Sequence, residues 1–342
     1  RDHANNGFDD VVEVSVGTRH ACARKRDGAV WCWGKKVSQE FTGTSGAGPS
    51  AMDGLSGYKR VRVGASFTCA IDGSDVVQCW GVNDEHQLGH RRGTAGDTDL
   101  LPVGTYSNGR ARPVELPDSA GALRASSLAV GLGHACAVET GTRAVWCWGR
   151  NDEGQLGQGD VGEHDRPVKI PSVTNASAVF ADGRHSCALL PGGVLRCWGS
   201  NLYGDIGVGP SDAAVPTYPP AAFGGLTGVT EGAGNAAVLC AHAPPHVYCA
   251  GFALVGSVGN GGFAGDGGGA DETFAVRVRH PTDAGAALAG VERLVAGGVH
   301  ACVKTTDNAI LCWGANGFGQ LGNGKAGSAE NSGTPVAVLG LP

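Results

Sequence analysis

Residues 134–157 read HACAVETGTRAVWCWGRNDEGQLG, and residues 300–322 repeat the phrase as HACVKTTDNAILCWGANGFGQLG. In each copy, two short apolar runs carry one cysteine each and flank a polar turn, which is typical of a β-hairpin. The chain of 342 residues holds twelve cysteines, and these fall into six such pairs. Successive pairs begin 47, 67, 51, 53 and 62 residues apart. A repeat of this length, present six times, indicates a radial array of four-stranded units.

This repeat predicts an all-β chain that folds as a six-bladed β-propeller of four-stranded antiparallel blades, with residues 1–342 forming a single domain. For the third unit, the expected strands are Pro113–Leu116, Ser127–Val130, His134–Val138 and Ala144–Trp148. The chain begins part-way through a unit near Val11–Val16 and ends on Pro335–Val338. We therefore expect the C-terminal strand to join the N-terminal blade and close the ring, which would remove open sheet edges.

The paired cysteines are Cys22 with Cys32, Cys69 with Cys79, Cys136 with Cys147, Cys187 with Cys197, Cys240 with Cys249, and Cys302 with Cys312. Residues directly opposite each other in an antiparallel hairpin lie within the reach of a disulfide. We therefore expect one disulfide inside each blade. Structural zinc and free buried thiols are the alternatives, although the close Cys-x-x-Cys spacing of zinc sites does not occur. Because disulfides persist in oxidising compartments, an extracellular, periplasmic or cell-surface protein is expected.

The composition narrows the class of partner. A hydrophobic content of 42% suits a packed core, and a formal net charge of −6 without a basic run argues against a nucleic-acid partner. No stretch reaches the roughly 18 apolar residues of a membrane helix, so no transmembrane segment is expected. The chain opens at Arg1 without an initiator methionine, which indicates a mature or trimmed form.

Most units continue after the second cysteine as Trp-Gly-x-Asn-x-x-Gly-Gln-Leu-Gly, for example Trp148–Gly157 and Trp313–Gly322. With Gly-x-x-His ahead of the first cysteine, this phrase resembles the repeat of the regulator of chromosome condensation family of β-propellers, in an exported, disulfide-containing, bacterial-type form. The resemblance runs from about Val11 to Leu341. Departures are the six copies where well-known members have seven blades, Ala250 in place of tryptophan, and His86 in place of glycine.

Two loops are long, His90–Arg112 and Asn260–His280, and in a six-bladed ring they would face each other across the axis. Expanded loops on a stiff scaffold commonly carry binding, although tolerated insertion is the alternative. Mixed charges with a few aromatic residues suit a protein interface. The loop candidates are Arg91, Arg92, Asp97, Asp99, Tyr106, Arg110, Phe263, Asp266, Asp271 and Phe274. Gly261–Asp266 weakly resembles a calcium repeat, which leaves calcium as a minor expectation.

Three positions of the repeat are relevant to binding. His20, His134, His185 and His300 occupy one position, where they could line the axis as a metal site or close the Gly-x-x-His turn, and we favour the turn. The tryptophans at Trp33, Trp80, Trp148, Trp198 and Trp313 are expected in the blade core. The residue before the second cysteine varies, so Trp31, Trp146 and Tyr248 are further contact candidates.

No nucleophile, zinc-protease or phosphate-loop motif occurs, so no enzyme activity and no cofactor are expected. The interpretation we favour is a non-catalytic, secreted or cell-envelope protein-binding scaffold that uses the long-loop face. The alternatives are an inhibitor of another secreted enzyme, because the family resemblance extends to exported β-lactamase inhibitors, and a polysaccharide-binding module. Nucleotide exchange on a nuclear GTPase, the activity of the family's namesake, is not expected.

Overall fold

A computed structural model describes residues 8–35, 48–52, 54–91, 93, 98–100, 105–117, 121–209, 217–234, 238–262, 271–283 and 285–340. These residues form six antiparallel sheets, which we call blades 1 to 6 in chain order. The sheets confirm the predicted six-bladed β-propeller. Helical structure among the described residues is limited to short 3₁₀ turns such as Phe223–Gly225 and Ser328–Glu330.

The first three blades are built from consecutive strands. Blade 1 contains β1 (Val11–Val16), β2 (His20–Lys25), β3 (Val30–Gly34) and β4 (Ser50–Ala51). Blade 2 contains β5 (Arg60–Val63), β6 (Phe67–Ile71), β7 (Val77–Val82), β8 (Thr98–Leu100) and β9 (Thr105–Pro113). Blade 3 contains β10 (Ala125–Val130), β11 (His134–Glu139), β12 (Val145–Gly149) and β13 (His164–Lys169). The extra strand β8 pairs with β9 and makes blade 2 five-stranded.

The last three blades follow the same order. Blade 4 contains β14 (Ala178–Ala181), β15 (His185–Leu190), β16 (Val194–Gly199) and β17 (Thr217–Ala222). Blade 5 contains β18 (Glu231–Gly234), β19 (Val238–Ala243), β20 (His246–Gly251) and β21 (Glu272–Arg277). Blade 6 contains β22 (Val291–Gly297), β23 (His300–Thr305), β24 (Ile310–Gly314) and β25 (Ser332–Ala337). By their contacts, the residues divide into two compact units, Arg1–Ala181 and Asp182–Pro342.

One disulfide lies inside every blade, which confirms the prediction from the hairpin spacing. The two half-cystines pair directly across the central hairpin, and their Cα atoms lie 4.0–4.1 Å apart in all six cases. The sequence separation varies from 9 to 11 residues because only the turn length changes. All twelve cysteines are used in these bonds. The bonds in blades 1 to 6 are, in order, Cys22 to Cys32, Cys69 to Cys79, Cys136 to Cys147, Cys187 to Cys197, Cys240 to Cys249, and Cys302 to Cys312.

In blades 3 and 6, the tryptophan after the second cysteine joins the blade to the loop of the preceding blade. The Trp148 indole N–H donates a hydrogen bond of 3.0 Å to the Gln87 backbone carbonyl oxygen, and Trp313 bonds the Ser257 carbonyl at the same distance. Trp148 packs in one core cluster with residues such as Leu88. Four members of the predicted core column are confirmed as fully buried: Trp80, Trp148, Trp198 and Trp313. Trp33 in blade 1 is only partly buried, and its ring contacts Phe8.

The glycine that follows this tryptophan is required by backbone geometry. Gly149 has a φ of 100°, a conformation that side chains disfavour. A Cβ at Gly149 would lie 2.5 Å from the Gly133 carbonyl oxygen. The next residue, Arg150, donates its backbone N–H to that same oxygen. The Trp-Gly pair therefore lets the end of β12 lie directly against the Gly-x-x-His turn.

Two predictions about strand order are wrong. The C-terminal strand β25 does not complete the N-terminal blade: it pairs with β24 through Leu311↔Ala337 and Cys312↔Val336. Blade 1 has its own fourth strand, β4, so each blade is formed from one continuous stretch of chain. The same shift applies to the third unit, because Pro113 ends β9 of blade 2 and the outer strand of blade 3 is β13. The outer strand follows the Gly-Gln-Leu-Gly phrase of its blade and does not precede the inner strands.

No helix among the described residues is both long and apolar enough to span a membrane.

The contact between Trp148 and the preceding loop predicts a measurable loss of stability. We expect Trp148→Phe to lower the free energy of unfolding by about 2–3 kcal/mol, because it leaves the buried Gln87 carbonyl unpaired and removes core volume. Trp146→Phe is the matched control, since Trp146 is only partly buried and its N–H bonds the Glu139 carboxylate. Its expected cost is about 1 kcal/mol or less. Urea unfolding under non-reducing conditions measures both, and equal losses would contradict this role of Trp148.

Candidate functional site

The first long loop contains a strand that the blade needs. Residues His90–Arg112 include β8 and most of β9, and β9 pairs with β7 through Cys79↔Arg112 and Gly81↔Asn108. The segment that is additional to the blade is therefore shorter than predicted and ends before β9.

The candidates in this first loop are spread over different parts of it. Arg91 and Arg110 are exposed. Asp99 lies in β8 and Tyr106 in β9. Two further candidates lie outside the described residues, and these are Arg92 and Asp97.

The second long loop is similar. Residues Asn260–His280 contain β21, the outer strand of blade 5, which pairs with β20 through Cys249↔Val276. Phe274 in β21 is 61% exposed, and it forms a bridge with Val208 of the blade 4 loop. Asp271 accepts a hydrogen bond from the Ala253 backbone N–H. The remaining candidates lie outside the described residues together with most of the calcium-like stretch, and these are Phe263 and Asp266.

The aromatic residues before the second cysteine form a separate group near the hairpin turns. Each is partly buried, and a cation from a neighbouring strand lies over its ring. The pairs are Lys25 over Trp31 at 5.0 Å, Lys169 over Trp146 at 6.0 Å and Arg277 over Tyr248 at 5.7 Å. The ring faces of these aromatic residues are engaged by cation–π contacts within the chain.

The two variable residues of Asn-x-x-Gly-Gln-Leu-Gly form loop tips that differ between blades. In blades 2, 3 and 6 the asparagine side chain accepts the backbone N–H of the leucine five residues later, at 2.9–3.0 Å. The tips of blades 2 and 3 are acidic, with Asp84, Glu85, Asp152 and Glu153. Within the second unit, the tips of blades 4, 5 and 6 carry Leu202, Leu254 and Phe318, which are 39%, 50% and 95% exposed.

These apolar tips were missed by the sequence interpretation, which followed loop length. The signal was present, because aligning the second, third, fourth and sixth copies on Trp80, Trp148, Trp198 and Trp313 isolates the two variable positions. The loops of blades 4 and 5 also touch each other, since the Tyr203 and Phe252 ring centroids lie 5.2 Å apart in an edge arrangement. Single exposed apolar residues are common on protein surfaces, whereas contiguous apolar patches mark contact surfaces. The three apolar tips are therefore added to the contact candidates.

The repeated histidines are turn residues. His20 and His134 are buried, and His20 Nε2 lies 2.8 Å from the Thr68 hydroxyl. Burial lowers the pKa of His20 to about 4 and also lowers the pKa of His300. His185 differs, because two aspartates lie on either side of its ring. Among the residues with described positions, no group of three or more His, Cys, Asp or Glu could hold a metal ion.

The pKa values of the carboxyl groups at the acidic tips depend on burial and on neighbouring charges. Burial raises the pKa of Glu85, with a further increase from Glu163 and an opposing effect of Arg150. The Arg150 guanidinium binds Asp152 and lowers the pKa of that carboxyl. The described part of this surface in the first unit therefore combines paired charges with an acidic excess.

Comparison with known proteins finds similarity to one family of repeats. Family models of the regulator of chromosome condensation (RCC1) repeat match residues 144–189 and residues 11–35, 125–155 and 291–320. The human E3 ubiquitin-protein ligase HERC2 is 28% identical over 213 residues, which are 61% of this chain and 4% of HERC2. The ultraviolet-B receptor UVR8 of Arabidopsis thaliana is 28% identical over 59% of this chain and 44% of UVR8. The chain thus spans less than half the length of these relatives.

A solved structure shows the same fold. Prp20p of Saccharomyces cerevisiae, studied for its binding to Gsp1p and histones, superposes with a TM-score of 0.77 at 16% identity. The superposition covers 96% of this chain and 77% of Prp20p.

The lowered pKa of His20 predicts that the stability of the protein falls as the pH falls. Unfolded His20 takes up a proton near pH 6.5, whereas the folded group stays neutral until about pH 4. Its contribution to stability is therefore present above pH 6.5 and is lost as the pH falls towards 4. Between pH 6.5 and pH 5, we expect the free energy of unfolding of the wild type to fall by about 1.5 kcal/mol more than that of His20→Phe, a variant that copies Phe67 of blade 2.

Urea unfolding of the wild type and of His20→Phe at both pH values measures this difference. His164→Phe is the control, because the His164 side chain is 30% exposed. An unchanged pH slope in His20→Phe would contradict the buried, neutral state of His20.

Proposed function

We propose that this chain, an RCC1-like β-propeller, is a non-catalytic protein-binding scaffold of the extracellular space, the periplasm or the cell surface, and that residues 1–342 act as one domain. RCC1-like propellers typically bind proteins, and most are binding or exchange-factor proteins. The binding of Gsp1p and histones belongs to Prp20p, and the activities of HERC2 and UVR8 belong to those proteins. We propose a protein partner here, without nucleic acid and without a required calcium ion.

The observation that supports the proposal is that the residues at the loop tips differ between blades that keep the same disulfide. Every blade keeps its disulfide, and the loops of blades 2, 3, 4 and 6 keep their asparagine bond, but the tips change from acidic to apolar. Leu202, Leu254 and Phe318 contribute little to the core because they are exposed. A stiff frame with exposed apolar and charged tips suits protein recognition, where preorganised loops limit the entropy lost on binding.

The cysteine chemistry supports the proposed compartment. Six disulfides that use all twelve cysteines are consistent with an oxidising environment. A cytosolic protein of this kind would have to keep six adjacent thiol pairs reduced.

Between the alternatives, the ring contacts favour protein over polysaccharide. A sugar platform needs an open aromatic face, but Trp31, Trp146 and Tyr248 are each approached by a cation of the same chain. Inhibition of a secreted enzyme is a special case of protein binding by the same surface, and it stays the second candidate.

Affinity capture tests the proposal. The oxidised protein serves as bait on the extracellular and envelope fraction of its native organism. One variant replaces residues 94–104 and 263–270 with short glycine-serine linkers, which retains β9 and β21. A second variant combines Leu202→Ser, Leu254→Ser and Phe318→Ser. We expect both variants to fold and to lose a protein that the wild type captures stoichiometrically.

The control combines Trp31→Ser, Trp146→Ser and Tyr248→Ser, which changes the same number of aromatic or apolar residues near the hairpin turns. We expect it to retain the partner. Capture that survives in both test variants would contradict the proposed face, and competition by free sugar would replace the scaffold with the polysaccharide module. If the partner is an enzyme whose activity falls at equimolar protein, the inhibitor is the correct special case.

A further inference from the structure

Two of the positions at which blade 4 departs from the internal repeat introduce an aspartate. Asp182 stands where the Gly-x-x-His turn of blade 3 has Gly131. Asp205 stands where the Gly-Gln-Leu-Gly loop of blade 3 has Gln155. The two positions are 23 residues apart in sequence, so the repeat alone gives no reason for them to change together.

The structure brings both aspartates to one histidine. Asp182 Oδ2 lies 2.9 Å from His185 Nε2, and Asp205 Oδ2 lies 3.4 Å from His185 Nδ1. The side chains of His185 and Asp205 are 0% and 1% exposed, and that of Asp182 is 10% exposed. The imidazole therefore lies between two buried carboxylates, one at each ring nitrogen.

The equivalent groups in other blades are neutral. In blade 3 the Gln155 side-chain amide oxygen accepts the Glu153 backbone N–H at 2.8 Å, and Gln320 does the same for Phe318 in blade 6. His20 of blade 1 meets the Thr68 hydroxyl, and burial lowers its pKa to about 4. His185 is also buried, but its pKa is shifted in the opposite direction.

The cause of that shift is the pair of carboxylates. Burial acts to lower the pKa of His185, but attraction to Asp182 and then to Asp205 outweighs it and raises the pKa to about 9. Burial raises the pKa of Asp205 to about 6, against the attraction of His185. Burial also raises the pKa of Asp182. The neighbouring strand β18 meets Asp182 with Gly234, which carries no side chain, so the charges that act on His185 are these two aspartates.

We propose that Asp182, His185 and Asp205 form a proton-binding site that fastens the loop of residues 201–207 to the turn of residues 182–185. The loop shares several hydrogen bonds with the loop of blade 3, among them the bond from the Ile206 N–H to the Asn201 side chain, which matches that from Leu156 to Asn151. Because the loop also carries Leu202, protonation sets how firmly one of the apolar tips is held.

The direction of the pH dependence follows from the coupling between proton binding and closure of the site. The closed site holds its histidine proton up to about pH 9, whereas a solvated histidine loses it near pH 6.5. The raised pKa of Asp205 adds to this preference for protons below about pH 6. The contribution of His185 is therefore complete below about pH 6.5 and is lost as the pH rises from 6.5 through 9, so the site loosens over this range. This is opposite to the behaviour expected of His20.

Hydrogen exchange measured by NMR, corrected for intrinsic rates, tests the site in the intact oxidised protein. The amides of Ile206 and Gly207 are compared with those of Leu156 and Gly157 in the same molecule, which have matching backbone bonds but no aspartate at the equivalent positions. We expect the protection of the blade 4 pair, relative to the blade 3 pair, to fall about 50-fold between pH 7 and pH 9.5. An unchanged ratio would overturn the proposal.

A double variant with Asp182→Gly and Asp205→Gln copies the residues of blade 3 and should abolish this change. Asp205→Asn preserves the size of the side chain and should reduce it, which keeps the test valid if the double variant does not fold. The His185 ring resonances should titrate near pH 9 in the wild type and at lower pH in both variants. Titration of His185 near pH 6.5 in the wild type would equally overturn the proposal, and neither result depends on a partner.

Discussion

The direct pairing of two cysteines across each hairpin is the constraint on which the rest of the structure depends. Cys136 opposite Cys147 fixes the register of β11 and β12, and a shift by one residue would reverse every side chain between the two faces. With the register fixed, Trp148 reaches the core and bonds the preceding loop, and Trp146, two residues earlier, packs partly buried against the same core cluster. The turn between the strands is free to change length, because the bond holds both strands.

Comparison of the six blades distinguishes the residues that the fold requires from those that can vary. Positions that touch a neighbouring turn or loop recur, as Gly149 and Trp148 show. Loop tips vary more freely, and Phe318 of blade 6 is almost fully exposed. The Asp182 and Asp205 pair is a third kind of position: both are buried and both depart from the repeat. Their change indicates a local property of blade 4 that the described residues of the other blades do not show.

The hairpins are predictable from the sequence because each carries two cysteines, an alternating apolar pattern and a short turn. The outer strands were predicted wrongly because segments such as His164–Lys169 and Ser332–Ala337 carry none of these signals. That error also extended the two long loops over β9 and β21. The contacts of Tyr248 with Arg277 and of His185 with Asp205 join residues 29 and 20 positions apart, and no local pattern encodes either contact.

The most direct test of this account is to map the disulfides in protein taken from its natural source, with thiols blocked by alkylation at the moment of lysis. We predict six bonds, each joining the two cysteines of one blade, and no alkylated cysteine. That result would establish the hairpin register and an oxidising compartment in one experiment. Alkylated cysteines would contradict the oxidising compartment, and bonds between different blades would contradict the hairpin register.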